Sequence, residues 1–272
     1  MSEFTVERPG VELSGEESGE GIAVVLLHGL TATRRYVVMG SRALERGGHR
    51  VVSYDARGHG RSAPAGAPDD YGYETLAADL LAVLDDRGIE RAVLAGASMG
   101  AHTIVRLALD HGDRVCGVVL ITPAYTPAGE HNDLERWDAL SDGLREGGVE
   151  GFVAAYGNPG VPAAWRETVT KVLRQRLSAH EHPEAVADAL RAVPRSRAFE
   201  DWDELGELAL PAVVVASRDE ADPGHPYAVG ERYAREIPGA RLLSEDPGAS
   251  PLAWQGGQLS KVIAELAERA AA

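Results

Sequence analysis

The chain holds a single cysteine, so no intrachain disulfide can form. Cys116 lies in the apolar run Val115-Cys116-Gly117-Val118-Val119-Leu120 and reads as a packed strand residue, not a nucleophile. No apolar run approaches the roughly 18 residues that a membrane span requires. The start, Met1-Ser2-Glu3-Phe4, lacks the charged and apolar regions of a signal peptide, so a cytoplasmic location is expected. Cations are also short: 27 Lys and Arg face 42 Asp and Glu, a formal net charge of −15. Nucleic acid and anionic membrane surfaces need basic patches, so both are excluded as expected partners. A small-molecule substrate is the expected partner, and a homo-oligomer is left open.

What is present is the composition of an ordinary globule, 44% hydrophobic and 25% charged, in a length of 272 residues that suits one large domain. Short apolar runs alternate with longer amphipathic stretches, the pattern of βαβ units on a mostly parallel sheet. Strands are expected at Ile22–Leu27, Arg50–Tyr54, Arg91–Ala95 and Val115–Ile121. Helices are expected around Arg35–Glu45, at Tyr73–Arg87, where Leu76, Leu80, Leu81 and Leu84 recur at helical spacing, and at Met99–Asp110. The rhythm then breaks. Residues 125–206 contain no valine-rich run, and charged helical stretches such as Trp165–Leu177 and Pro183–Val193 take over. So long a stretch exceeds the dozen or so residues of one crossover, and it reads as a helical cap inserted into a core of 1–124 and 207–272. After it come strand Ala212–Ala216, helix Pro226–Ile237, strand Ala240–Leu243 and helix Leu259–Arg269.

Gly96-Ala97-Ser98-Met99-Gly100 directly joins an expected strand to an expected helix. Gly-x-Ser-x-Gly by itself is a weak signal; in that context it is a strained strand-to-helix turn, whose glycines let the backbone close and expose the serine hydroxyl. The helix N-terminus adds favourable potential for a developing anion. His28-Gly29-Leu30 follows the strand Val24-Val25-Leu26-Leu27, and a tight turn there would aim the Leu30 N–H at the same point as the Met99 N–H, forming an oxyanion hole. His28 and His59 read as residues that shape their turns.

Three segments in this order and spacing carry a resemblance: Leu26-Leu27-His28-Gly29-Leu30, Tyr54-Asp55-Ala56-Arg57-Gly58-His59-Gly60-Arg61-Ser62, and Gly96-Ala97-Ser98-Met99-Gly100. They look like the α/β-hydrolase superfamily, over nearly the whole chain apart from the cap. The resemblance implies an α/β-hydrolase fold, Ser98 as nucleophile, and Leu30 and Met99 as oxyanion donors. It also implies an acid after a later strand and a histidine near the C-terminus. The acid falls in Ser217-Arg218-Asp219-Glu220-Ala221-Asp222-Pro223; Asp222, in an Asp-Pro-x-x-Pro form, is preferred and Asp219 is the alternative.

The histidine is where the chain departs from the family. The expected position holds Glu245-Asp246-Pro247-Gly248-Ala249-Ser250-Pro251, and no histidine follows His225. A serine hydroxyl is a poor nucleophile without an adjacent base, and Ser250 does not titrate near neutrality. His225 is the preferred replacement, oriented by Asp222. His102 shares the Ser98 face of the helix but reads as a packing residue, and His131, His180 and His182 of the cap are expected at the surface. His180-x-His182 would need further ligands to hold zinc, so no metal is expected, and no cofactor. Arg34 and Arg35 would meet an anionic substrate or simply begin a helix. Trp137, Tyr156 and Trp165 would line a pocket or fill the cap.

The expectation is a hydrolase of a small ester, lactone or related acyl compound with an atypical base. The alternative is a non-hydrolytic relative, a lyase, isomerase or ligand-binding protein on the same scaffold, because fold does not fix chemistry.

Overall fold

The computed structural model describes residues 1–127, 133–158, 160–246 and 254–271. Ile22–Leu27 (β3), His49–Tyr54 (β4), Ala92–Ala97 (β5), Val115–Ile121 (β6), Ala212–Val215 (β7) and Arg241–Leu243 (β8) pair in parallel. Two further strands, Ser2–Arg8 (β1) and Val11–Ser18 (β2), form a hairpin that joins antiparallel beside β4. The eight-stranded order is β1-β2-β4-β3-β5-β6-β7-β8. The hairpin was not anticipated from the sequence. Only Val6, Val11 and Leu13 of it are core residues, so it is a half-buried sheet edge with many glutamates on the other positions.

The central strands are apolar throughout because both sheet faces are covered. Val24 and Leu26 pack in a core with Val93, Val119 and Val213 beneath the C-terminal helix Gly256–Ala271 (α8), which contributes Leu259, Ile263 and Leu266. Val25 and Leu27 point the other way and pack with Leu94, Leu120 and Val214 under Tyr73–Asp86 (α2) and Met99–Asp110 (α3).

The helix expected over Arg35–Glu45 does not form. A 3₁₀ turn at Arg34–Tyr36 and a single turn at Ala43–Arg46 (α1) replace it. Met39 (φ 48°) and Gly40 (φ 73°) sit in the left-handed region between them, which breaks a right-handed helix. Between β6 and β7 run Leu134–Tyr156 (α4), Arg166–Leu177 (α5) and Pro183–Ala192 (α6); Tyr227–Glu236 (α7) follows β7. Glycine at 148 (φ 58°) kinks α4 in mid-course.

Candidate active site

Ser98 stands between β5 and α3 with φ 51° and ψ −115°, a backbone conformation that costs a non-glycine residue of order 1–3 kcal/mol. The surrounding contacts hold it there. The Ser98 N–H donates to the Ile121 carbonyl (2.9 Å), and its own carbonyl accepts from the His102 N–H (3.1 Å). The flanking glycines are demanded by close approach. A Cβ at Gly96 would lie 2.5 Å from the Gly100 carbonyl carbon, and one at Gly100 would lie 2.4 Å from the Leu27 carbonyl oxygen. The helix therefore starts directly against β3, and the serine is lifted off the end of β5.

The turn after β3 comes up beside it: a Cβ on Gly29 would lie 3.5 Å from the Ser98 Cβ. Three buried histidines pin this turn. The Ala56 N–H donates to His28 Nε2 (2.9 Å), so His28 Nδ1–H donates to the Gly29 carbonyl (2.8 Å). His59 Nε2 lies 2.5 Å from the Leu30 carbonyl. His180 Nδ1 accepts from the Gly60 N–H (2.8 Å), leaving its Nε2–H for the Thr31 carbonyl (3.2 Å). Burial drives His28 and His180 down to about 3, so both stay neutral. His180 is thus not at the surface as expected; both its nitrogens are occupied by backbone, so it has none to offer a metal. His182 is partly exposed beside Glu184. The Leu30 N–H has no protein acceptor among the described residues. The Met99 N–H belongs to the first turn of α3, where no intrahelical acceptor exists.

The Asp55-to-Ser62 segment explains its own glycines. Asp55 accepts from the Arg34 and Arg61 backbone N–H groups and pairs with the Arg34 guanidinium. A Cβ on Gly60 would strike that carboxylate. Arg34 is therefore a strut under the turn, not a substrate contact. Arg57 makes a bidentate pair with buried Asp79 at 2.7 and 2.8 Å.

After β7, Asp222 and His225 meet. His225 Nδ1 lies 2.8 Å from both Asp222 carboxylate oxygens, and the His225 N–H donates to the Asp222 carbonyl (3.2 Å), closing a tight turn. Burial opposes charge on the imidazole, but Asp222 outweighs it and raises the His225 pKa above its ordinary value. Burial likewise resists the Asp222 charge, and His225 and Arg176 overcome it, holding Asp222 below the usual carboxylate range. Asp219, the alternative acid, instead accepts from the Ala221 N–H (2.8 Å) in its own loop.

His102 is a packing residue, as read. Its Nε2 accepts from the Ala124 and Tyr125 N–H groups (2.9 and 3.0 Å), so its Nδ1–H faces the Tyr73 hydroxyl (2.9 Å), and burial drives it to about 3. His131 and the segment Pro247-Gly248-Ala249-Ser250-Pro251 lie outside the described residues. Glu245, just before that segment, accepts from the Ser217 hydroxyl, the Arg218 N–H and the Trp254 indole, tying the acid loop to the chain beyond β8.

Ser98, Met99, Leu30, Asp222 and His225 all line one cavity of about 540 Å³ at the C-terminal ends of the parallel strands. Its far wall is largely apolar and comes from α4, α5 and the turn after α6, including Trp137, Leu140, Phe152 and Leu173. Trp137 and Tyr156 line it; Trp165 does not. The sequence also missed Arg136 and Arg176, two cations in the cavity wall, because nothing in a helical repeat marks which arginine faces inward.

Comparison with known proteins agrees with this fold. The family model described as alpha/beta hydrolase fold matches residues 22–204. A putative carbamate hydrolase RutD from Variovorax paradoxus is 32% identical over 211 residues, 77% of each chain. Among solved structures, a thermophilic esterase from Thermogutta terrifontis superposes with a TM-score of 0.80 at 26% identity, covering 99% of both chains. The enol-lactonase from Burkholderia xenovorans LB400 does so with a TM-score of 0.75 at 26% identity, covering 97% of this chain and 99% of that one. With a serine at the strained turn of an eight-stranded, mostly parallel sheet and relatives that are hydrolases, the chain belongs to the α/β-hydrolase fold family.

Proposed function

We propose that the protein hydrolyses a small ester or lactone through an acyl-enzyme on Ser98, with His225 as the base. The observation that carries this is the pairing of His225 Nδ1 with Asp222 on the wall of the cavity that Ser98 also lines. Asp222 fixes the imidazole with Nδ1 protonated, which leaves Nε2 as the basic nitrogen. Ser98 Oγ attacks the carbonyl carbon and its proton passes to His225 Nε2. The oxyanion is held by the Leu30 and Met99 N–H groups, each worth about 10²–10³-fold in rate. His225 returns the proton to the leaving alkoxide. It then takes one from water as that attacks the acyl-enzyme, and passes it to Ser98 Oγ as the bond to the serine breaks and the carboxylic acid leaves. Residues 125–206 act as the cap that closes the pocket, which is supported by α4, α5 and the turn after α6 lining its wall. The names of the relatives, an esterase, an enol-lactonase and a carbamate hydrolase, fit acyl transfer to water.

The test is turnover of short-chain 4-nitrophenyl esters and small lactones, with intact-mass detection of a fluorophosphonate adduct. Hydrolysis with one adduct per chain, both abolished in Ser98→Ala, is the expected result. No adduct on folded protein would overturn the reading and favour non-hydrolytic chemistry.

A further inference from the structure

The cavity wall holds two arginines alongside two aspartates, Asp133 and Asp222, in a molecule of net charge −15. Arg136 of α4 and Arg176 of α5 both line it, and neither makes an ion pair among the described residues. Most other arginines of the chain have a carboxylate partner. Arg136 lies over the Tyr156 ring (5.3 Å), and the nearby Asp133 carboxylate caps α4 through the Arg136 backbone N–H. Arg176 is likewise half-buried and lies over the Tyr36 ring (6.0 Å). Its Nη2 donates to the Thr31 hydroxyl (2.8 Å), and its Nε is buried without a partner.

A guanidinium has five N–H donors, and Thr31 takes one. The Asp222 carboxylate acts on the guanidinium electrostatically but forms no ion pair with it, and both its oxygens face His225. A half-buried guanidinium with a buried, unpartnered Nε and no ion pair is costly unless an anion completes it. Thr31 adjoins Leu30, so the guanidinium is tethered one residue from the N–H that would receive the oxyanion. Burial lowers the Arg176 pKa from its ordinary value, in keeping with a cation that lacks full solvation.

We propose that Arg176 binds a carboxylate on the substrate, so that the preferred substrates are small esters or lactones carrying a second, ionised carboxyl group. This rests on the hydrolytic reading above. A planar carboxylate matches the planar fork of one guanidinium, and its single negative charge is balanced by that one cation. The apolar walls Leu140, Phe152 and Leu173 would cover the carbons between the two ends.

The test compares kcat/KM for 4-nitrophenyl hemisuccinate and 4-nitrophenyl butyrate, which match in chain length and differ in charge. The expected ratio favours the hemisuccinate by about 10-fold or more. Arg176→Met is expected to lower the ratio by about 10- to 100-fold, chiefly through KM, while Arg176→Lys recovers part of it. Thr31→Val, which removes only the tether, should lower it less. A wild-type preference for the butyrate, or a ratio unchanged in Arg176→Met, would overturn the proposal. If neither ester turns over, the hydrolytic reading is what has failed. Titration of Ser98→Ala with glutarate then decides the anion site: binding lost on adding Arg176→Met supports it, and no binding overturns it. If Arg176→Met does not fold, the Lys and Val variants carry the same comparison.

Discussion

Ser98 is held in a conformation it would not choose, and the close approach of α3 to β3 shows what holds it. A Cβ at position 100 would meet the Leu27 backbone, which cannot move without shifting β3 against α3. Gly100→Ala is therefore expected to destabilise the fold by about 3 kcal/mol or more, read as a shifted urea midpoint, whereas Gly147→Ala, with open space around it, should cost little. At the same scale, His225 must be neutral to act as a base. Asp222 raises its pKa, so kcat/KM should climb through an apparent pKa above 6.5 on the acid side. Asp222→Asn removes what raises it and leaves burial and Arg176, both of which lower it. The acid limb should move to lower pH while the rate falls on the order of 10²–10⁴-fold. A limb that stays in place would show that another group titrates.

Individual elements were legible where one physical signal dominated. Met99–Asp110 and Val115–Ile121 form with the expected bounds because a buried apolar pattern left no rival. The β1–β2 hairpin was missed because its alternation is diluted by glutamate and only one face is buried. The helix after the Leu30 turn was over-read because Val37 and Val38 look helical while Met39 and Gly40 reverse the chain. The site divides likewise. Ser98 and the Leu30 turn are set by local sequence, and the Asp222–His225 pair is three residues apart. His180 and Arg176 depend on how α5 docks, which no local pattern encodes. That docking predicts a stability effect: His180→Leu strands the buried Gly60 N–H and should cost about 1–3 kcal/mol. A melting temperature equal to wild type would contradict the role given to His180.

Four buried histidines are held uncharged by the fold. Burial drives His28, His102 and His180 to about 3 and lowers His59 as well. In the unfolded chain each binds a proton as pH falls through about 6.5, while in the folded chain His28, His102 and His180 stay neutral down to about 3 and His59 charges only below its ordinary value. Their stability contribution is full above pH 6.5 and declines below it, by about 1.4 kcal/mol per pH unit for each histidine. His225 runs the other way: its raised pKa stabilises at low pH and is lost as pH rises through the folded value. It is one group against four, so urea midpoints should fall steadily from pH 6.5 towards 5; a flat profile would mean that these histidines are hydrated.

The central claim is that a histidine outside the usual position activates Ser98. The most direct measurement is the rate of fluorophosphonate labelling in wild type and in His225→Ala, with matched melting temperatures as a check on folding. The variant is expected to label at least about 100-fold more slowly, the scale of a lost general base. Labelling at the wild-type rate would contradict that claim and assign the base to another group.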